Sequence, residues 1–168
     1  ANRKIKSFEK TEVEITRVIN SKAGVDFLRK ELSTRIKTLQ HTDFDLLNDI
    51  MSKAHSNKSL HQFSFFEKGE LAGTIFLIET DQSILYLKGT CTSKWKNNGG
   101  MYALIHQGIQ LAFESNRTFD FGGSRAEGVR KFNRCFGGKD QQYFGYSWND
   151  GPIWYKALKA LKNKWKKR

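Results

Sequence analysis

Apolar residues in the first sixty positions recur at two different spacings. One spacing, every second residue, is typical of a strand, and the other, every third or fourth residue, is typical of a helix. Residues 2–10 predict a short basic helix, and alternation over residues 12–16 predicts a half-buried strand. A second helix is predicted to open at Gly24, because leucine and isoleucine then recur every three or four residues as far as Leu39. Thr42 is predicted to cap a third helix. The chain therefore begins with helix, strand, helix and helix.

The middle of the chain changes to strand patterns. Residues 62–67, 71–79 and 84–87 predict three strands joined by short turns, which indicates an antiparallel meander. The central strand is almost wholly apolar, as expected of a strand that is covered on both faces. A polar loop over residues 92–100 follows, and its terminal Gly-Gly pair precedes an apolar helix.

The last third continues the alternation of strands and helices. A short strand over 118–121, a polar helix over about 126–135, a strand over 142–148 and a basic helix over 153–168 are predicted. The length of 168 residues fits one domain over residues 1–168. This order predicts an α/β (mixed α+β) fold, in which helices flank a central, largely antiparallel sheet.

Charge and composition narrow the class of protein. The net charge of +12 is concentrated near the two ends, either as solvated faces or as a surface for phosphates of RNA or of a phosphorylated small molecule. No apolar run reaches the ~18 residues of a membrane span, and no signal sequence is recognisable, which predicts a cytoplasmic protein. Cys91 and Cys135 lack metal-ligand spacing, so no metal is expected.

The order of elements resembles the GNAT N-acyltransferase fold over nearly the whole chain. Two linked motifs, residues 119–124 and 132–137 with Gly128 between them, resemble the Fem family of peptidoglycan-bridge aminoacyl ligases. The resemblance implies a sheet with a V-shaped split, an amine acceptor, and either acyl-CoA or aminoacyl-tRNA as the donor. Fem ligases carry two GNAT-like domains in tandem. The chain is therefore expected to be the second domain of a longer protein, lacking its N-terminal partner, or a stand-alone relative.

The resemblance places the donor in the loop that follows the meander. Backbone N–H groups at a helix N-terminus attract anions, and glycine lets a phosphate approach closely. The alternative is an exposed polar turn that binds nothing. The donor-binding residues expected from the resemblance are Lys94, Lys96, Asn97, Asn98, Gly99 and Gly100.

The 119–137 region carries the residues expected at the acceptor side. The resemblance implies substrate-binding roles for Asp120, Gly122, Gly123, Ser124, Arg125, Phe132 and Arg134. Asp120 has a competing structural role, because it could cap the following helix or pair with Arg125 or Lys131.

The catalytic residue is left open by the sequence. The candidates are Asn133, which stands where the ligases carry lysine, and Tyr143 and Tyr146, on the strand where GNAT enzymes place a tyrosine as general acid. None of the four histidines has an acidic residue at a spacing that would indicate a catalytic pair. Three of them fall at the predicted ends of helices or strands, where side chains are usually solvated. The leading hypothesis is a transferase that moves an acyl or aminoacyl group onto an amine. The alternative is a non-catalytic domain that binds RNA or another anion.

Overall fold

The computed structural model describes residues 1–33, 35, 36, 38–123 and 126–142, together with residues 144, 146, 148, 152 and 155. The chain divides into two compact units, Ala1–Gly138 and Lys139–Arg168. The helices of the first unit are α1 (Asn2–Glu9), α2 (Ser21–Ser33), α3 (His41–Ser56), α4 (Ser93–Asn97), α5 (Gly100–Glu114) and α6 (Glu127–Arg134). Its strands are β1 (Ile15–Thr16), β2 (Leu60–Glu67), β3 (Glu70–Glu79), β4 (Ser83–Cys91) and β5 (Thr118–Asp120).

The five strands form one mixed sheet in chain order. β1, β2, β3 and β4 pair antiparallel with their neighbours, whereas β4 and β5 are parallel. Lys68 and Gly69 connect β2 to β3 with φ angles of 51° and 83°, a tight turn whose twist suits a hairpin. The antiparallel meander predicted from the alternating pattern is confirmed.

The sheet is buried on both faces because helices cover each of them. On one face Phe65 and Ile75 pack with residues of α1, α4 and α5. On the other face Phe76 packs with Leu28 of α2 and Met51 of α3. All five side chains are completely buried. β3 contributes to both clusters, which explains its almost continuous apolar sequence.

Several predicted bounds need correction. α2 runs from Ser21 to Ser33 and therefore neither opens at Gly24 nor reaches Leu39. Gly24 lies inside the helix, where a Cβ atom would come 2.4 Å from Phe76 Cζ, so glycine lets α2 lie close to the sheet. The cap of α3 is Gln40 rather than Thr42, and the Asp43 carboxylate accepts a 2.8 Å hydrogen bond from the Gln40 N–H.

The Lys139–Arg168 unit carries the predicted last strand and C-terminal helix. Every other residue from 143 to 147, and almost all residues from 149 onward, lie outside the described residues, so both elements stay predictions. Phe144, Tyr146 and Trp148 are exposed, and the Tyr155 N–H donates a 3.0 Å hydrogen bond to the Pro152 carbonyl. The expectation of a single domain also stays a prediction.

The described residues form neither a membrane-spanning helix nor a cluster of metal ligands. No helix among them combines the length and the apolar character that crossing a membrane requires. No three histidine, cysteine, aspartate or glutamate side chains among them lie in a group that could hold a metal ion.

Candidate functional site

The parallel strands β4 and β5 part after a very short pairing. Only Ser83, Ile84 and Leu85 pair with β5, opposite Thr118–Asp120. The register between β3 and β4 shifts just beyond this point, so that Leu87 is left without a partner on β3. A bulge of this kind bends a strand and increases its twist. The second half of β4 is thereby free of β5, and ligands of open α/β sheets bind where neighbouring strands diverge in this way.

The chain leaves β5 through a turn that approaches the backbone of β4. Gly122 has a φ of 67°, and a Cβ atom there would lie 3.3 Å from the Tyr86 carbonyl oxygen. The Gly122 N–H donates a 2.8 Å hydrogen bond to Oδ1 of Asp120. Asp120 therefore stabilises its own turn, and Lys131 pairs with Glu127 at 2.8 Å instead of with Asp120.

Aromatic side chains connect α5, α6 and the end of β5. Tyr102 contacts Phe132 edge-on at 4.8 Å between ring centroids and stacks on Phe136 at 5.5 Å. Phe136 contacts Phe121 at 5.9 Å, and Phe121 contacts Phe119 at 4.9 Å. The series brings the 132–137 motif to the strand end where Asp120 and the glycine turn lie. The two motifs singled out in the sequence are thus adjacent in space.

The expected donor loop is largely helical, and its two glycines are not exposed. Most of it forms α4, and Gly99, with a φ of 87°, caps the start of α5. Gly99 and Gly100 are buried. A Cβ atom on Gly99 would lie 2.2 Å from the Lys4 carbonyl oxygen, and one on Gly100 would lie 2.9 Å from Phe65 Cζ. The close approaches that these glycines permit here are therefore those of α1 and of the core.

The charged residues of the expected donor site differ in their surroundings. Lys94 forms an ion pair with Glu67, whose carboxylate also accepts a 3.0 Å hydrogen bond from Trp95 Nε1. The contacts with Lys94 and Trp95 lower the pKa of Glu67. Asn97 and Asn98 are exposed and Lys96 is half-buried. The Asn97 carbonyl accepts a 2.7 Å hydrogen bond from Lys4 Nζ, so α1 contributes a cation to this region.

The first turn of α5 has a buried thiol beside it. The sulfur of Cys91, the last residue of β4, lies beside the backbone N–H of Met101. Burial raises the pKa of the Cys91 thiol to about 12. Cys135, by contrast, is exposed at the end of α6.

The two thiols are expected to react at very different rates. With a chromogenic disulfide reagent at pH 8, Cys135 should react at the rate of an open thiol. Cys91 should react roughly a hundredfold more slowly or not at all, because only the thiolate attacks and the buried thiol remains protonated. Cys135→Ser should remove the fast phase, and denaturant should restore the second thiol. Fast labelling of both cysteines in the native protein would contradict the burial of Cys91.

The remaining candidate residues are only partly brought together. Asn133 is half-buried on α6, and its side chain makes no hydrogen bond to any residue that the structure describes. Arg134 and Gly123 are exposed, and Tyr146 is exposed in the second unit. Three predicted site residues, Ser124, Arg125 and Tyr143, lie outside the described residues.

Two residues of interest were not singled out from the sequence. Tyr86 lies where β4 and β5 part, and its burial raises its pKa; its place in an alternating strand marks it only as a half-buried residue. His61 was expected to be solvated, and this is wrong. Its ring is buried within β2 and lies 2.6 Å from the Glu79 carboxylate, an acid 18 residues away in the sequence.

Comparisons with known proteins identify the fold. No protein-family model matches the sequence. No curated protein matches it either. The aminoglycoside N-acetyltransferase AAC(6')-Iy, solved with a bisubstrate analogue of coenzyme A, is similar over 83% of this chain and 99% of its own, with 10% identity and a TM-score of 0.61. A ribosomal-protein-alanine N-acetyltransferase from Brucella melitensis has 14% identity, the same coverages and a TM-score of 0.59.

A third structure agrees with these two. The aminoglycoside 6'-N-acetyltransferase AAC(6')-Ih from Acinetobacter baumannii is similar over 83% of this chain and 99% of its own length. The two sequences are 10% identical, and the TM-score is 0.60. Identities this low establish a shared fold and nothing finer. Together with the order of the elements and the parting of β4 from β5, they show that this chain has the GNAT acetyltransferase fold.

Proposed function

We propose that the protein is an N-acyltransferase that moves an acyl group from a thioester donor, acyl-CoA, to an amine. The parting of β4 and β5 after three residue pairs carries this proposal, because no described residue pairs with the second half of β4 on that edge. The amine nitrogen attacks the thioester carbonyl, the carbon–sulfur bond breaks, the thiolate leaves and the nitrogen loses a proton. The coenzyme A analogue bound by one structural neighbour supports the choice of donor.

The second half of β4 supplies the means of positioning such a donor. An extended ligand that contains amides can pair with an open strand edge as another strand would. Holding the thioester and the amine in one geometry removes most of the entropic part of the barrier, so little acid–base chemistry is needed. The turn at Gly122, which lies against Tyr86, marks the inner end of this space. We keep the roles that the resemblance implies for the donor-binding and substrate-binding residues named in the sequence analysis as part of this proposal.

A glycine pair in the chain allows a matched test of the site. Acetyl-CoA and a panel of amines are incubated with the protein, and acetylated products are counted by mass spectrometry. Gly122→Val should lower the transfer rate at least tenfold, because the side chain adds both strain and bulk beside Tyr86. Gly137→Val is the control, since Gly137 has a similar φ of 82° but nothing within 4 Å of its Cβ position. Equal losses in the two variants would contradict a site at the parting strands.

A more specific proposal is that the group transferred is an aminoacyl group carried by tRNA, as in the Fem ligases. It rests on the two motifs and on the expectation that an N-terminal GNAT-like domain completes the protein. Asn133 can donate a hydrogen bond to a substrate but offers no positive charge to a developing oxyanion. Asn133→Lys is therefore expected to raise single-turnover transfer from aminoacyl-tRNA. An unchanged rate would contradict the inference that Asn133 occupies the position of the Fem ligases' lysine.

A non-catalytic, anion-binding domain is the competing proposal, and one observation favours it. The first turn of α5, expected to hold the donor pyrophosphate, has the Lys4 backbone against Gly99 and the Cys91 thiol beside the Met101 N–H. Calorimetric titration with coenzyme A separates the proposals. Saturable heat supports the acyltransferase, and its absence together with tRNA binding supports the non-catalytic domain.

A further inference from the structure

A second groove lies at the beginning of β2, a strand that β3 separates from β4 in the sheet. Its volume is about 490 Å³, and the described residues that line it carry two cationic side chains, two imidazoles and two aliphatic side chains, with no acid among them. The lining residues are Arg17, Ile19, His55, Lys58, Leu60 and His61. A groove with this lining favours a ligand that is both anionic and partly apolar.

Arg17 is held by His61 and forms no ion pair with any residue that the structure describes. Arg17 Nη2 lies 2.7 Å from His61 Nδ1, and because a guanidinium can only donate, Nδ1 must be the acceptor. With Nδ1 accepting, Nε2–H of the ring donates to Glu79 Oε2 at 2.6 Å. The other oxygen of Glu79 pairs with Arg117 at 3.0 Å. Arg117 thus pairs with Glu79, and the His61 ring holds Arg17 in place without supplying a negative charge.

Lys58 occupies a backbone position that normally suits glycine. It lies just after the C-terminal end of α3 and has a φ of 57°. Its N–H donates to the His55 carbonyl and the Ser59 N–H donates to the Ala54 carbonyl, both at 2.9 Å. Glycine is the usual residue at this place in such a helix end, and α5 ends in the same way with Asn116. Lys58 forms no ion pair with any described residue. An unfavoured backbone conformation thus coincides with an unpaired cation at the groove.

We propose that this groove binds the phosphate group of a small phosphorylated ligand. Arg17 presents a planar guanidinium that can donate two parallel hydrogen bonds to phosphate oxygens, and Lys58, which also lines the groove, adds a point charge. Ile19 and Leu60 contact the apolar part of the ligand. Its lining includes no residue of β4 or β5 among the described residues, and it does not depend on the acyltransferase proposal.

Two lysines with left-handed backbones make a matched test. Phenyl phosphate is titrated into ¹⁵N-labelled protein, and binding is followed by NMR shifts of the groove residues. Lys58→Gly and Arg17→Gln should each weaken binding at least tenfold. Lys68→Gly should leave it unchanged, since Lys68 has a φ of 51° and lies in the β2–β3 turn. Both glycine variants should melt no lower than the parent, because glycine suits a positive φ.

The result separates a site from bulk electrostatics. Saturable shifts in the groove that are lost in Lys58→Gly but kept in Lys68→Gly support the proposal. Equal weakening in both glycine variants would mean that only the net charge attracts the anion, and would overturn it. The proposal also fails if phenyl phosphate causes no saturable shifts, or if phenol causes the same shifts as phenyl phosphate.

Discussion

Replacing Gly99 with alanine is expected to destabilise the protein by about 2–5 kcal/mol. The φ of 87° costs an L-residue roughly 1–2 kcal/mol. The new Cβ would also lie 2.2 Å from the Lys4 carbonyl oxygen. Backbone of a packed helix cannot swing aside like the end of a flexible side chain, and overpacking of this kind typically adds about 1–3 kcal/mol. Urea denaturation followed by circular dichroism measures the change.

Gly69→Ala is the matched control for that variant. Gly69 has nearly the same φ, 83°, but nothing lies within 4 Å of its Cβ position. Its replacement should cost only the backbone term, about 1–2 kcal/mol. The difference between the two variants therefore isolates the contact between α1 and the start of α5. If the two variants lose the same stability, α1 does not lie against Gly99 in solution.

Replacing Phe8 with alanine is expected to destabilise the protein by about 3–5 kcal/mol, the usual range for truncating a buried phenylalanine. Phe8 is 3% exposed, and its ring contacts Phe65 at 5.1 Å and Trp95 at 5.3 Å, both edge-on. These contacts attach α1 to β2 and α4. Chemical denaturation gives the free energy, and hydrogen exchange should show α1 losing protection first.

Phe113→Ala serves as the control for the loss of a phenyl ring. Phe113 lies near the end of α5 and is 86% exposed, so its removal should change stability by less than about 0.5 kcal/mol. A loss of less than 1 kcal/mol for Phe8→Ala would mean that α1 is not part of the core. Phe8→Ala also tests the donor site. If the first turn of α5 holds the donor, detaching α1 uncovers that turn, and the affinity for coenzyme A should increase.

The meander and the helix-forming regions were predictable from the sequence because each depends on local pattern. Alternating apolar residues in β2, a continuous apolar run in β3 and the Lys68-Gly69 turn specify hairpins whose partners are neighbours in the chain. The placement of Ile5 and Phe8 on one face of α1 is equally local, and both are buried. The resemblance of the whole order to the GNAT fold then predicted the parting of β4 and β5.

Local pattern did not predict the ends and caps of the helices. The apolar period of α2 continues to Leu39, yet the helix ends at Ser33. Thr42 is a better cap than Gln40 by residue type alone, but the Asp43 carboxylate fixes the start of α3 two residues earlier. Such choices depend on a few hydrogen bonds worth about 1 kcal/mol each, which packing easily outweighs.

The surroundings of the candidate sites were decided only by the tertiary structure. The sequence marks Gly99 and Gly100 as residues that permit a close approach, but not that α1, more than 90 residues earlier, is what approaches Gly99. It likewise contains no sign that His61 meets Glu79 and Arg17, or that Lys58 adopts a positive φ beside them. The period of a segment records which face is buried, whereas contacts between distant segments are set by how the buried faces pack together.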